Sequence, residues 1–581
     1  ETDMATTHVA AWRWPGAQNT WRRRAKGRKE RCGGRRGGRK VGRGTNTHVA
    51  RDGSAHASMV GRNGRWDAVQ APKKLLEKVQ ARMHGLWGKL VPMAVLFFFM
   101  SFVNSILDST KDTLVVTAFG GAEQLPFLTV YAVLPCSLLF LMVYSKLANR
   151  LEPGALFYAT LVPFVAFFGL FGTLLFPFQH ILHPNTETWL RILPAGLEGG
   201  VAMIQHWTYT LFYVFSELWG DVVLSLLFWG LANETTNVDE ARVIYPLFGI
   251  GANVAQAMAG RVLKWLADSA HETSALTATD AWARQLKAMM AIVVVSGFCI
   301  MALHGYIRKA LIRAERKTSS GQPLLRKKSN LSIGESFRAI ISSKQIRCLA
   351  AMAVAQGLAS ILFQVTWKGQ IRILHPQPTE YSSFMGDVAT ASGLFTGLSM
   401  LAAPMLFTKL GWSGAAQFTP YVMVFGGWIF FAVAIWANNG GLATCPHLLG
   451  PMVAGGAALY IFEKAAKFSL FKPAEEMVYI GLDEDKRTKG KAAVDVVGAQ
   501  FGKSSGSVFQ QGLLVGMGTL SRALPIILLT HSLVIAVWIM AIDALAHHHG
   551  HLLTFDEEES DTNDLVCELE DRPVGDRIVE A

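Results

Sequence analysis

The feature that most constrains this chain is a series of apolar runs, each about 20 residues long, that begins at Leu90. A helix of about 20 residues crosses the roughly 30 Å of hydrocarbon in a bilayer. Six such spans lie near residues 90–118, 126–145, 154–177, 202–231, 245–263 and 286–306, and six more near 347–366, 385–408, 419–437, 447–470, 493–519 and 524–546. Hydrocarbon offers no hydrogen bonds, so the backbone of each run must satisfy itself as a helix. The expectation is an all-α polytopic membrane protein with twelve transmembrane helices in two six-helix bundles. Composition agrees, since 51% of residues are hydrophobic and only 17% charged, against about 25% charged in soluble domains.

The net charge of +12 is spread unevenly. Residues 1–89 form a basic Gly/Arg-rich extension, with Arg22, Arg23, Arg24, Arg31, Arg35 and Arg36, which has too few apolar residues to bury a core. An organelle transit peptide, an RGG-like RNA-binding tail and a gene model extended upstream of Met59 all fit that composition. The expected domains are then 90–307 for the first bundle, 308–346 for a basic linker, 347–546 for the second bundle and 547–581 for an acidic tail. The linker carries Arg308, Lys309, Arg313, Arg316, Lys317, Arg326, Lys327 and Lys328. Six spans separate it from the basic N-terminal arm, so both lie on one side, the side from which insertion occurs. Loops 178–201 and 438–446 on the opposite side are poor in Lys and Arg. Net charge therefore describes tails and loops, and no nucleic-acid partner is expected. The six cysteines (Cys32, Cys136, Cys299, Cys348, Cys445, Cys567) lack metal-ligand spacing and read as packing residues.

The two sets of spans look alike at matching places. Span two ends in Tyr144-Ser145-Lys146-Leu147 and span eight in Phe407-Thr408-Lys409-Leu410. Span four holds Phe212-Tyr213-Val214-Phe215-Ser216-Glu217, and span ten Leu459-Tyr460-Ile461-Phe462-Glu463-Lys464. Span one has Ser105-Ile106-Leu107 before Lys111, and span seven Ser360-Ile361-Leu362 before Lys368. Three matches in the same order argue for duplicated six-helix bundles, a major facilitator-like architecture.

Ionisable side chains within spans cost roughly 2.5–3.5 kcal/mol on insertion scales and mark watery cavities or partners. They are Lys111 and Asp112 in span one, Glu217 and Asp221 in span four, Lys464 and Lys467 in span ten, and Lys503 in span eleven. Snorkelling from a helix end is the other reading of Lys111 and Lys503; Glu217 sits too deep for it. Several lysines with one or two carboxylates suit an anion that must be bound and released, with carboxylates holding the lysines when substrate is absent. Trp207, Tyr209, Tyr213, Trp219 and Tyr460 either stack a purine or pack. Gly498-Ala499-Gln500-Phe501-Gly502-Lys503-Ser504 has one residue too few between its glycines for a phosphate-binding loop, which argues against an ATPase. His547, His548, His549 and His551 read as a solvated helix end rather than a metal site.

Taken together, these residues resemble the nucleotide (ATP/ADP) translocases of plastids and intracellular bacterial parasites. The similarity rests on Lys111-Asp112-Thr113-Leu114-Val115-Val116-Thr117-Ala118, Phe215-Ser216-Glu217-Leu218-Trp219-Gly220, Val238-Asp239-Glu240-Ala241-Arg242, Thr366-Trp367-Lys368 and Lys489-Gly490-Lys491-Ala492-Ala493. It runs in order from about Leu90 to Ala546. The resemblance implies a secondary transporter, not an enzyme, that needs no cofactor, acts as a monomer in the bilayer, and exchanges ATP for ADP or moves related nucleotides by alternating access. It implies substrate-binding roles at Lys111, Glu217 and Lys489, with Lys491 adjacent, and a carboxylate where this chain has Gln364. Lys464 and Lys467 join them as candidates for phosphate attraction. A plastid inner envelope is the expected location, with a bacterial inner membrane as the alternative; the competing function is a major facilitator-type carrier of another organic anion or small solute.

Overall fold

The computed structural model describes residues 64–236, 238–271, 277–315, 343–480, 494 and 499–549. It falls into two units, Glu1–Lys78 and Val79–Ala581; of the first, residues 64–78 are helical, and all that follows concerns the second. The expected extension up to residue 63, most of the basic linker, Lys489, Lys491, His551 and the acidic tail lie outside the described residues.

Every described element is helical. Eight stretches are long and apolar enough to cross a bilayer, and one of them, Pro378–Thr444, has 67 residues. In chain order the helices are α1 (Gly64–Thr117), α2 (Gly121–Arg150), α3 (Pro153–Leu175), α4 (Trp207–Thr235), α5 (Val238–His271), α6 (Ala278–Glu315) and α7 (Lys344–Leu374). Helix Pro378–Trp436 is broken by Gly411 at φ 67°, which only glycine adopts readily, into α8 (378–410) and α9 (412–436). Then come α10 (Leu449–Ala466, running on through Lys467–Phe471), α11 (Ala499–Met517) and α12 (Leu520–His549). Each of the twelve expected spans falls on one of these helices. Three are not apolar enough to count as crossing stretches by themselves: α5 is diluted by Asn253 and Gln256, α10 by Glu463, Lys464 and Lys467, and α11 by Lys503, Gln510 and Gln511. Polar dilution is what helices beside an aqueous path require. The glycine-rich segment near Lys503 is helical from Ala499 on, which removes the phosphate-loop reading.

Side chains sort as a bilayer demands. Leu398, Leu401, Phe425, Ile429, Leu529 and Leu533 are more than half exposed, as apolar side chains on the outside of a membrane-spanning bundle are. Hydroxyls inside the helices return their protons to the preceding turn, as Thr110 does to the Ile106 carbonyl (2.7 Å) and Ser216 to Phe212 (2.7 Å). Two fully buried tryptophans, one in each half, tie helices together. Trp219 of α4 packs edge-on against Phe164 and Phe168 and donates Nε1–H to the Met100 carbonyl of α1 at 3.1 Å. Trp367 of α7 stacks on Tyr460 and donates to the Val453 carbonyl of α10 at 3.0 Å. So α1 is tied to α4 as α7 is to α10. A wider π turn also opens at matching points, Trp219–Phe228 just after Glu217 and Lys467–Phe471 just after Lys464. Such turns are rare and recur at functional sites; here they carry the internal repeat down to backbone detail.

The halves meet closely along α5 and α8. A Cβ added at Gly260 would stand 2.3 Å from the Gly386 carbonyl oxygen, and one at Gly393 would stand 2.5 Å from that of Asn253. Small residues there let the two backbones touch.

Candidate functional site

Lys111 lies near the end of α1, one turn after Asp108 and facing α4. Its ammonium bonds the Asp108 carboxylate, meets Glu217 Oε1 at 2.9 Å and stands 5.4 Å from the Tyr213 ring centre. The Lys111 side chain is only 6% exposed, so it does not snorkel. A buried ammonium survives only with such partners, and removal of one typically costs about 3–5 kcal/mol. Asp108, which sequence reasoning passed over, is the carboxylate one turn back on the same face; an acid in the middle of an apolar run was its signal.

On the facing half, Lys464 sits 5.8 Å from the Tyr460 ring centre and Lys467 is one turn further along α10. Neither they nor Lys503 of α11 meet a carboxylate within ion-pair distance among the described residues. Lys467 is in electrostatic range of Lys464, Lys503 and Glu463. The carboxylate of Glu463, buried beside them, is held by neutral groups of α7: Ser360 donates at 2.8 Å and Gln356 at 3.3 Å. Gln364 lies one turn beyond Ser360 on that stripe, half-buried, with no hydrogen-bond partner among the described residues.

Charges on the two halves face each other. Glu217 and Asp221 of α4 feel Lys503, and Asp108 feels Lys464 and Lys368. Asp221 and Lys503 are exposed although both lie within spans. The arrangement is a charged cleft between the bundles, with Asp108, Asp112, Glu217 and Asp221 plus one lysine on the first wall, and Lys368, Lys464, Lys467 and Lys503 plus one carboxylate on the second; Asp108 and Glu217 are partly exposed in it. Glu217 and Lys464 stand on opposite walls; Glu217 is bound by Lys111, and the lysine of the second half that it feels is Lys503. Lys111, Glu217, Gln364, Lys464 and Lys467 thus lie on the walls of this cleft or on the stripes leading to it, whereas Lys489 and Lys491 fall outside the described residues.

Three of the five candidate aromatics pack. Trp219 is core, Trp207 donates to the Leu182 carbonyl at 2.8 Å, and Tyr209 bonds Gln179 beside His183 and His206. That cluster borders a cavity of about 400 Å³ in the loop between α3 and α4. Burial and nearby His180 hold the His183 imidazole below its usual pKa, so it offers an anion no standing charge. A larger cavity, about 610 Å³ between α9 and α10, is lined by Val422, Phe430, Met452 and Leu459 and contains none of the charged residues. Tyr213 and Tyr460 are the aromatics that remain beside cleft lysines.

Residues 74–549 match the family model described as TLC ATP/ADP transporter. The chain belongs to the TLC ATP/ADP transporter family. It is 39% identical to ADP,ATP carrier protein 1, chloroplastic, of Arabidopsis thaliana, covering 81% of this chain and 76% of that one. With ADP,ATP carrier protein 1 of Chlamydia muridarum it shares 40% identity over 80% and 88% of the two chains. With the plastidic ATP/ADP-transporter of Solanum tuberosum the identity is 40% over 87% and 79%. A solved bacterial homologue of the iron transporter ferroportin, in an inward-facing state, superposes with a TM-score of 0.50 at 13% identity, over 78% of this chain and 99% of that one; that likeness concerns the fold alone. The family is one of transporters, not enzymes.

Proposed function

We propose that the protein is a secondary transporter that exchanges adenine nucleotides, ATP against ADP, across a membrane. One observation carries this reading: a family of ATP/ADP transporters supplies the scaffold, and the second wall of its cleft presents Lys464, Lys467 and Lys503 with no carboxylate at ion-pair distance among the described residues. Unpaired lysines within a membrane protein are costly unless an anion compensates them. Lys gives a strongly hydrated point charge that suits a phosphate chain which must later leave. In this reading Lys111, Lys464 and Lys467 draw in the phosphates, Lys489 and Lys491 assist, Glu217 balances Lys111 when the cleft is empty, and Gln364 makes a neutral polar contact. Tyr213 and Tyr460 offer faces to the base. The carrier works as a monomer that rocks one bundle against the other. Its membrane is the plastid inner envelope, and a bacterial inner membrane is the second choice.

The test is uptake of labelled ATP into proteoliposomes holding the full chain, with and without preloaded ADP. Saturable uptake that needs preloading and is displaced by ADP is the expected result. Uptake of a non-nucleotide organic anion that ATP and ADP fail to compete away would replace this reading with that of a general anion carrier.

A further inference from the structure

Several polar contacts join the two halves, and those named here gather at the end of the bundle opposite the linker. Glu123 accepts from the Leu520 amide (2.9 Å), Gln511 donates to the Pro126 carbonyl (2.9 Å), Lys264 meets Asp387 (2.6 Å) and Gln285 donates to Ser382 (3.0 Å). Arg372 lies so close to Gly121 that a Cβ there would meet its guanidinium at 2.1 Å. One contact differs from these. Asp112 of α1 and Lys368 of α7 pair at 2.7 Å with side chains 3% and 11% exposed, and they border the cleft, because Lys368 is in electrostatic range of Asp108 and Lys464. Asp112 directs only one oxygen at Lys368; Oδ1 is buried without a partner, as is the nearby Tyr381 hydroxyl. The pair is ionic and crosses the halves, but it is incompletely caged.

We propose that Asp112 and Lys368 form a latch that substrate phosphate opens, and that this latch makes transport an exchange. The proposal rests on the nucleotide reading above. A polyphosphate drawn toward Lys111 and Lys464 brings more negative charge to Lys368 than one carboxylate provides. Lys368 then turns from Asp112 to phosphate and the outer end is free to part. With the cleft empty, Lys368 has no competing anion, the latch stays shut and the carrier does not return unloaded. A ligand moves such an equilibrium only by binding one state better than the other, and Lys368 supplies that difference.

Two measurements on the purified full-length chain test this. In proteoliposomes, wild type takes up labelled ATP only when ADP is preloaded; Asp112→Asn should raise uptake into empty vesicles at least fivefold while exchange continues, and Asp112→Lys/Lys368→Asp should restore dependence on preloading. Separately, a cysteine at Val116, placed in a background without native cysteines, should react slowly with an impermeant maleimide from the outer side until ATP is added. With Asp112→Asn it should react fast without ATP. An Asp112→Asn protein that folds, exchanges and still needs preloading as strictly as wild type overturns the latch, as does a Val116→Cys labelling rate that ATP does not change. Failure of wild type to carry nucleotides at all would instead sink the functional reading beneath it.

Discussion

The first half and the second are built on one plan and charged in opposite senses. In each, the first helix is tied to the fourth by a buried tryptophan, and each fourth helix opens a π turn just past its central charge. In the first half, however, the lysine stands among acids: Lys111 is gripped by Asp108 and Glu217. In the second half the acid stands among lysines, and among the described residues Glu463 is held by the neutral Ser360 and Gln356. The shape is shared between the halves, and the charge is divided between them. A polyphosphate is therefore expected to lie on the second wall, with Lys111 as the one opposing cation.

The largest effect should come from that wall. Lys464→Gln/Lys467→Gln removes two charge-assisted contacts worth about 1.5–3 kcal/mol each, so the KM for ATP should rise on the order of 100-fold, and more for ATP than for ADP. Equal loss for mono-, di- and triphosphates would place the phosphates elsewhere. Lys111→Gln comes next, with an expected rise of roughly tenfold, because one charge-assisted contact to phosphate is lost and Asp108 and Glu217 are left without their shared cation. Normal expression with unchanged apparent affinity would remove Lys111 from the site. Third is the pair across the cleft: Glu217→Lys/Lys503→Glu should recover part of the transport lost in each single variant, and Glu217→Lys/Lys464→Glu should not. The reverse pattern would reinstate Lys464 as the partner.

The smallest effect is expected at Gln364. An amide has neither charge nor a physiological titration but keeps both kinds of hydrogen-bonding atom. Gln364→Glu places a carboxylate one turn from Ser360 and one from Lys368, so it should shift the ATP to ADP preference only a few-fold and tighten the need for a counter-substrate. If selectivity and exchange stay as they are across mono-, di- and triphosphates, Gln364 merely packs.

How much of this was legible in the sequence follows from the reach of each interaction. The spans were readable because bilayer thickness imposes one length on every run, and the duplication because Tyr213 and Tyr460 sit in similar strings. The charged positions stood out because apolar neighbours make them expensive. Their partners were not readable. Aligning Tyr213 with Tyr460 gives Glu217 and Lys464 equivalent places, but that Lys111 holds Glu217 from a different helix and that Lys503 faces it across the cleft is a matter of rotation about helix axes that no linear string records. Lys368 was visible in Thr366-Trp367-Lys368, but its meeting with Asp112 depends on the two halves closing. The tryptophan ties were hidden for another reason: a Trp in an apolar run looks the same whether it faces lipid, base or a backbone carbonyl.

The contact between α5 and α8 has a bearing on speed. Gly260, Gly386 and Gly393 bring main chain against main chain, so along that line the side chains that reach the opposite helix are small, as Thr390 is where it donates to the Ala257 carbonyl at 3.3 Å. Interlocked surfaces must lift apart or change rotamers before they slide, whereas smooth ones shear at nearly constant dispersion energy. This seam is consequently a low-friction axle. Resistance to rocking resides in the ion pairs at the rim, and a single bulky residue at Gly260 or Gly386 would act as grit in the bearing, slowing turnover while leaving nucleotide affinity in place.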